Sequence, residues 1–192
     1  TSRLMNYKPI LIIAGEPNSI FLEIFFKSIT LKKFKSPIIL IASKKLLTLQ
    51  MKELKFKKKI RILNLNTLKK YRLSNNYINL IDVKYNANKP FEKISKKSNV
   101  YIKKSFDVAF KIINIGFTNK LINGPISKKY FLNKKFLGMT EYISKKFSIK
   151  ESAMLIYNNK LAVCPITTHL PIKLVKNKVN KKSIIEKIFL IN

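Results

Sequence analysis

At 192 residues the chain is long enough for one α/β domain, or one lobe of a larger enzyme, and its 46% hydrophobic content excludes a disordered tail. Against 9 acidic residues stand 40 basic ones, a formal charge of +31; only three of the 40 are arginines, so 37 are lysines. The single cysteine, Cys164, excludes an internal disulfide and a paired-cysteine metal knuckle, and no apolar run reaches the roughly 20 residues of a membrane span.

Residues 1–8 read as an N-terminal extension, with Thr1–Leu4 ahead of Met5, and residues 9–192 as a single α/β lobe. Pro9–Ala14 is a continuous apolar run closed by Gly15-Glu16-Pro17, the pattern of a strand covered on both faces. That punctuation does not suit a secretory cleavage site, which wants small residues, so a cytoplasmic protein is the default expectation. A helix is predicted from about Ser19 to Lys33, then a strand at Pro37–Ala42, a helix at Lys44–Leu54 and a short strand at Ile60–Leu65. Strands alternating with helices at these lengths predict a parallel sheet. Asn75-Asn76 and Asn86–Pro90 read as turns around a strand at Ile78–Val83.

Val100–Ile115 carries the clearest helical period, with Ile102, Phe106, Ala109, Phe110 and Ile113 on one face. Leu121-Ile122 is a short strand leading into Asn123-Gly124-Pro125. Met154–Tyr157 and Lys160–Val163 flank Asn158-Asn159, two residues tolerant of positive φ, and predict a tight hairpin. Cys164 reads as a small buried strand residue. Lys181–Ile191 is helical in pattern, with Ile184, Ile185, Ile188 and Phe189 as its apolar side. With no capping glycine or closing strand after it, the chain reads as cut short.

The lysines run along the whole chain, as Lys32-Lys33, Lys57–Lys59, Lys96-Lys97, Lys134-Lys135 and Lys181-Lys182. No one stripe stands out, and no aromatic–glycine–basic block of an RNA-binding sheet occurs. Lysine also lacks the bidentate fork suited to reading base edges. A drift in composition, which also explains abundant Asn, Ile and Phe beside only 4 glycines, accounts for the charge better than a dedicated interface. Loose, salt-sensitive attraction to polyanions still follows from the charge itself.

Four short motifs follow predicted strands, where α/β proteins place their ligands. They are Gly15-Glu16-Pro17 with Ile20 and Glu23, then Asn123-Gly124-Pro125-Ile126-Ser127-Lys128, then Gly138-Met139-Thr140-Glu141-Tyr142, then Thr167-Thr168-His169-Leu170-Pro171. Each alone is weak; in this order, with the Asn158-Asn159 hairpin before the last, the chain resembles the 4-hydroxythreonine-4-phosphate dehydrogenases of pyridoxal phosphate biosynthesis. The resemblance implies a three-layer α/β fold with a mostly parallel sheet, like isocitrate and isopropylmalate dehydrogenases, with the C-terminal part missing. It implies NAD-dependent oxidation of the 3-hydroxyl of 4-phosphohydroxy-L-threonine, followed by loss of carbon dioxide from the β-keto acid. It also implies a divalent metal (Zn, Mg or Co), which as a Lewis acid stabilises the developing alkoxide and then the enolate. The expected partners are that phosphorylated amino-acid substrate and either a second copy in a homodimer or a separate C-terminal half.

Residue by residue, His169 matches the first of the family's three histidine metal ligands, and Thr140 a substrate-contacting threonine. Met139 stands where the family has a substrate-contacting histidine; a thioether can neither donate a hydrogen bond nor carry positive charge toward an anionic substrate. Lys128 is a candidate cation for a phosphate or carboxylate, and Thr140 also suits the N-cap of a helix over Glu141–Phe147. Glu16 is expected to shape its loop, and Glu23 to favour the first turn of the following helix. Asn18-Ser19 and Phe21-Leu22 replace the family's small Ala-Gly and Gly-Pro pairs, a bulkier loop. Catalytic side chains and NAD contacts are not assigned. One histidine cannot make a metal site that needs about three protein ligands. A decayed, non-catalytic relative and a basic nucleic-acid-binding protein therefore remain as alternative readings.

Overall fold

The computed structural model describes residues 7–132, 136 and 138–192. Most of the expected N-terminal extension and the pair Lys134-Lys135 lie outside the described residues. Contacts divide the chain into two compact units, one ending at Phe131 and the other Leu132–Asn192.

The first unit is built on a five-stranded sheet with the order β3-β4-β2-β1-β5, every neighbouring pair parallel. The strands are β1 (Ile10–Ile13), β2 (Ile38–Ala42), β3 (Ile60–Ile62), β4 (Ile78–Asp82) and β5 (Lys120–Asn123). Leu11 pairs with Ile39 on one side and Leu121 on the other. β2 is buried along its whole length, which is why it reads as an unbroken apolar run.

Alternation along the strands sends Ile12, Ala14, Leu40, Ala42 and Leu80 toward α1 (Phe21–Leu31) and α2 (Lys44–Glu53), where Phe25, Phe26 and Leu47 complete the cluster. α3 (Asn99–Asn114) lies against β1 and β2, with Tyr101, Ile102, Phe106 and Ala109 buried. Two helices on one face of the sheet and one on the other make three layers. Fully burying one such large apolar side chain contributes about 1.5–3 kcal/mol, so this unit carries a core of its own.

Several boundaries differ from expectation. α1 is shorter at both ends than Ser19–Lys33. The strand expected over Ile60–Leu65 stops at Ile62, and a 3₁₀ segment follows at Leu65–Lys70. Asn64 caps that segment, its Oδ1 accepting from the Asn66 amide at 2.9 Å.

The second unit contains α4 (Met139–Lys146), an antiparallel hairpin of β6 (Ile156–Tyr157) and β7 (Ala162–Val163), a single-turn α5 (Ile172–Val175) that the sequence did not announce, and α6 (Lys181–Ile191). The hairpin closes over Asn158–Leu161, the Asn158 amide donating to Leu161 O at 2.9 Å. Neither asparagine takes a positive φ; instead Asn158 Oδ1 accepts from the Lys160 amide at 3.0 Å, a side-chain turn that needs no left-handed residue. Cys164 falls just beyond β7 and is only half-buried, contrary to the expected buried strand position. Among the described residues of this unit the buried hydrophobic side chains are Leu132 and Tyr142. α6 buries none: its apolar side leaves Ile188 49% and Phe189 78% exposed. No helix among the described residues is long and apolar enough to cross a membrane.

Candidate functional site

In the first unit the strand order reverses beside β1: the chain moves from β1 to β2 on one side and returns to β5 on the other. Open α/β sheets bind ligands at the carboxyl ends of the strands flanking such a switch. Gly15-Glu16-Pro17 follows β1 and Gly124-Pro125 follows β5, so two of the four motifs meet there. The Glu16 amide donates to Pro125 O at 2.7 Å, and the Gly124 amide to Ile13 O at 2.7 Å. A Cβ on Gly15, whose φ is +74°, would lie 2.3 Å from Pro125 O, and one on Gly124 would lie 2.2 Å from Ala14 O. Only glycine permits this approach at both positions.

Glu16 is one of few acids in the chain and is 3% exposed. Ser98 Oγ, just before α3, donates to its Oε2 at 2.9 Å, and the Asn18 amide reaches Oε1 at 3.4 Å. Burial pushes the Glu16 carboxyl above its ordinary value, partly offset by those two donors. Gln50 on α2 ties the same loop to its neighbour, donating to Pro17 O at 3.0 Å and Pro90 O at 2.7 Å. The bulky residues that depart from the family pattern are used in packing: Asn18 Oδ1 accepts from the Glu92 amide at 3.0 Å, Leu22 is buried, and Phe21 packs against the core.

Tyr85 and Tyr101 complete this edge, their rings 5.1 Å apart. Burial raises the titration of both hydroxyls. Sequence reasoning missed Ser98, Gln50 and the two tyrosines, because their contacts join segments from 16 to 82 residues apart and leave no local pattern.

Lys128 is exposed at the start of a π-helical turn, Lys128–Leu132, whose position is held by Asn99 Nδ2 donating to Tyr130 O at 2.8 Å. In the second unit, Met139 and Thr140 are adjacent and half-buried in the first turn of α4. The N-cap there is Gly138, and no side chain caps the helix; Thr140 stands inside it, which corrects the expected capping role. Glu141 occupies the same first turn, where a negative charge complements the helix dipole.

His169 is exposed on the loop between β7 and α5, with φ +58°. Two other described non-glycine residues adopt positive φ, Lys55 and Ser148, and both directly follow helix ends, where the left-handed conformation is the ordinary terminator. His169 ends no helix. A left-handed conformation costs a side-chain-bearing residue about 1–2 kcal/mol, and such outliers cluster where a side chain must be aimed. Its imidazole can offer one nitrogen lone pair to a metal. No group of three histidine, cysteine, aspartate or glutamate side chains among the described residues could hold one. The residues present therefore do not make a complete metal centre.

A family model described as "Pyridoxal phosphate biosynthetic protein PdxA" matches residues 33–192. The chain is 32% identical over 191 residues to a 4-hydroxythreonine-4-phosphate dehydrogenase of Sulfurihydrogenibium sp. (strain YO3AOP1), covering 94% of this chain and 56% of that relative. It is 26% identical over 188 residues to the enzyme of that name from Wigglesworthia glossinidia brevipalpis, covering 95% and 55% respectively. In fold it is similar to the crystal structure of a 4-hydroxythreonine-4-phosphate dehydrogenase from Burkholderia phymatum, with TM-score 0.79, 20% identity, and 95% of this chain and 56% of that one covered. The corresponding structure from Klebsiella pneumoniae gives TM-score 0.76 at 21% identity, covering 98% and 58%. The chain thus spans a little over half the length of the relatives it matches.

Proposed function

Because the chain belongs to the family of the pyridoxal phosphate biosynthetic protein PdxA, we propose that it forms the N-terminal portion of an NAD-dependent dehydrogenase acting on 4-phosphohydroxy-L-threonine. That enzyme oxidises the 3-hydroxyl and releases carbon dioxide from the β-keto acid, on the route to pyridoxal 5'-phosphate. The observation that carries this reading is His169. The chain's one histidine stands exposed, in a backbone conformation that no helix end accounts for, inside the family's Thr-Thr-His-Leu-Pro motif.

The Thr140 hydroxyl can both donate to and accept from a polar substrate group, and Lys128 can add a positive charge for a phosphate or carboxylate. Met139 gives neither, so substrate affinity rests more heavily on its neighbours than in relatives with histidine there. The described residues supply one of about three ligands a catalytic metal needs, so activity requires further ligands from the rest of an enzyme of the family's length. The exposed apolar side of α6 and of the hairpin supports burial against such additional protein, whether that remaining length or a second copy.

The test joins this chain to the C-terminal portion of the Sulfurihydrogenibium relative and follows NADH formation from NAD, the phosphorylated substrate and a divalent cation. We expect turnover by the chimera, its loss in His169→Ala, and no turnover by the 192-residue chain alone. A correctly folded chimera without turnover would favour the reading of a decayed relative. Turnover that survives His169→Ala would remove the metal assignment.

A further inference from the structure

Lysine is so frequent in this chain that lysines around a cavity distinguish nothing, whereas arginine is rare. Two of the three arginines, Arg61 and Arg72, line one cleft of about 720 Å³ at the edge of the sheet opposite the glycine loops, below the N-terminal ends of β2 and β4. A composition drift toward lysine does not place two surviving arginines together.

The cleft is also preformed. The Arg61 guanidinium lies 4.1 Å from the centre of the Tyr77 ring, and its Nη1 donates to Arg72 O at 3.0 Å. A fork already held in place loses little freedom on meeting an anion, and its planar donors match phosphate oxygens bidentately. Next to it lies a second compartment of about 450 Å³, sharing the wall formed by Phe34, Asn75, Asn76 and Tyr77 and floored by Phe25, Ile38 and Leu40. Asn75 pins that wall with three hydrogen bonds: Oδ1 accepts from the Ile38 amide at 2.8 Å, and Nδ2 donates to Phe34 O at 3.0 Å and Ser36 O at 2.9 Å. No aspartate or glutamate is among the residues lining either compartment. Each volume is within the range of small-molecule sites, and the second compartment sets apolar side chains beside Lys32, Lys33, Lys58 and the amides of Asn75, Asn76 and Asn79, a mixed lining with donors and acceptors for a polar ring.

From this juxtaposition we infer that the double cleft binds a phosphate-bearing small molecule of the nucleoside phosphate class. The phosphates meet Arg61 and Arg72, and the planar base enters the compartment floored by Phe25, Ile38 and Leu40. The site belongs wholly to the first unit and does not depend on the dehydrogenase reading.

Calorimetric titration of the full chain tests it, with ADP and inorganic pyrophosphate as probes at about 150 mM salt, where diffuse surface attraction is largely screened. ADP should bind at least tenfold more tightly than pyrophosphate, because only ADP uses both compartments. Arg72→Lys should weaken ADP on the order of tenfold by removing a planar fork while keeping the charge. Lys181→Gln, which removes a cation from the second unit, should leave ADP binding unchanged. Arg61→Lys should behave like Arg72→Lys; if it unfolds the protein, the exposed Arg72 carries the test alone. Equal affinity for the two probes, equal losses in Arg72→Lys and Lys181→Gln, or no ADP binding at this salt would each overturn the inference. So would displacement of ADP by a single-stranded oligonucleotide at far lower concentration, which would make the cleft a nucleic-acid surface.

Discussion

The two units of the chain treat the same kind of amino acid in opposite ways. In the first, isoleucine and leucine on β1, β2 and β4 are almost completely buried apart from the half-buried Ile10, and polar residues such as Glu16, Gln50 and Asn79 are buried with hydrogen bonds to other segments. In the second, isoleucine, leucine and phenylalanine on α6 and the hairpin remain substantially exposed. The first therefore carries its own core, and the second leaves many large apolar side chains at its surface. Of the residues matched to the family's site, Met139, Thr140 and His169 belong to the second unit and Lys128 to the first. What teaches most in this contrast is that the candidate chemistry stands largely on the part with the least internal packing.

Substitutions that shorten a buried side chain should separate the units most sharply. Phe106→Ala, at a fully buried position on α3, should cost about 3–5 kcal/mol in chemical denaturation. Ile188→Ala on α6 should cost under about 0.5 kcal/mol, since little surface is lost from burial. Comparable losses at the two positions would erase the distinction. Gly15→Ala should destabilise by about 3 kcal/mol, combining a left-handed φ with a Cβ driven into Pro125 O, and a thermal melt would show it.

A smaller effect concerns pH. Burial raises the Glu16 titration in the folded state, so the fold favours the protonated carboxyl. Its stabilising share is complete below the ordinary carboxylate value and is lost as pH rises through the raised one. Glu16→Gln, neutral at every pH, lacks that loss. The stability of the unaltered protein should therefore fall relative to the variant as pH rises above the ordinary carboxylate range, and parallel curves would show that Glu16 is not held in a desolvated setting.

The parts of the fold legible in the sequence were those with a single local cause. Pro37–Ala42 announced β2 because a strand covered on both faces leaves no polar alternation, and α3 announced itself through its period. That the strands run parallel followed from their alternation with helices; their order in the sheet did not. Asn75 read only as a turn residue; its three hydrogen bonds to residues 34–38 depend on tertiary placement that spacing cannot show. Thr140 met the chemistry of an N-cap, yet the helix begins one residue earlier, at Met139. Cys164 belongs to an apolar run, but β7 ends before it, in a unit that buries few side chains. The left-handed backbone of His169 had no sequence signal beyond its motif, since glycine is the residue usually expected there.

Amide hydrogen exchange on the intact chain tests the contrast most directly. The amides of Ile39, Leu40 and Ile41 in β2 should exchange only through global unfolding, while those of Ile188 and Phe189 in α6 exchange orders of magnitude faster through local opening. Protection of α6 equal to that of β2 would contradict a self-supporting first unit beside a second that lacks its own core.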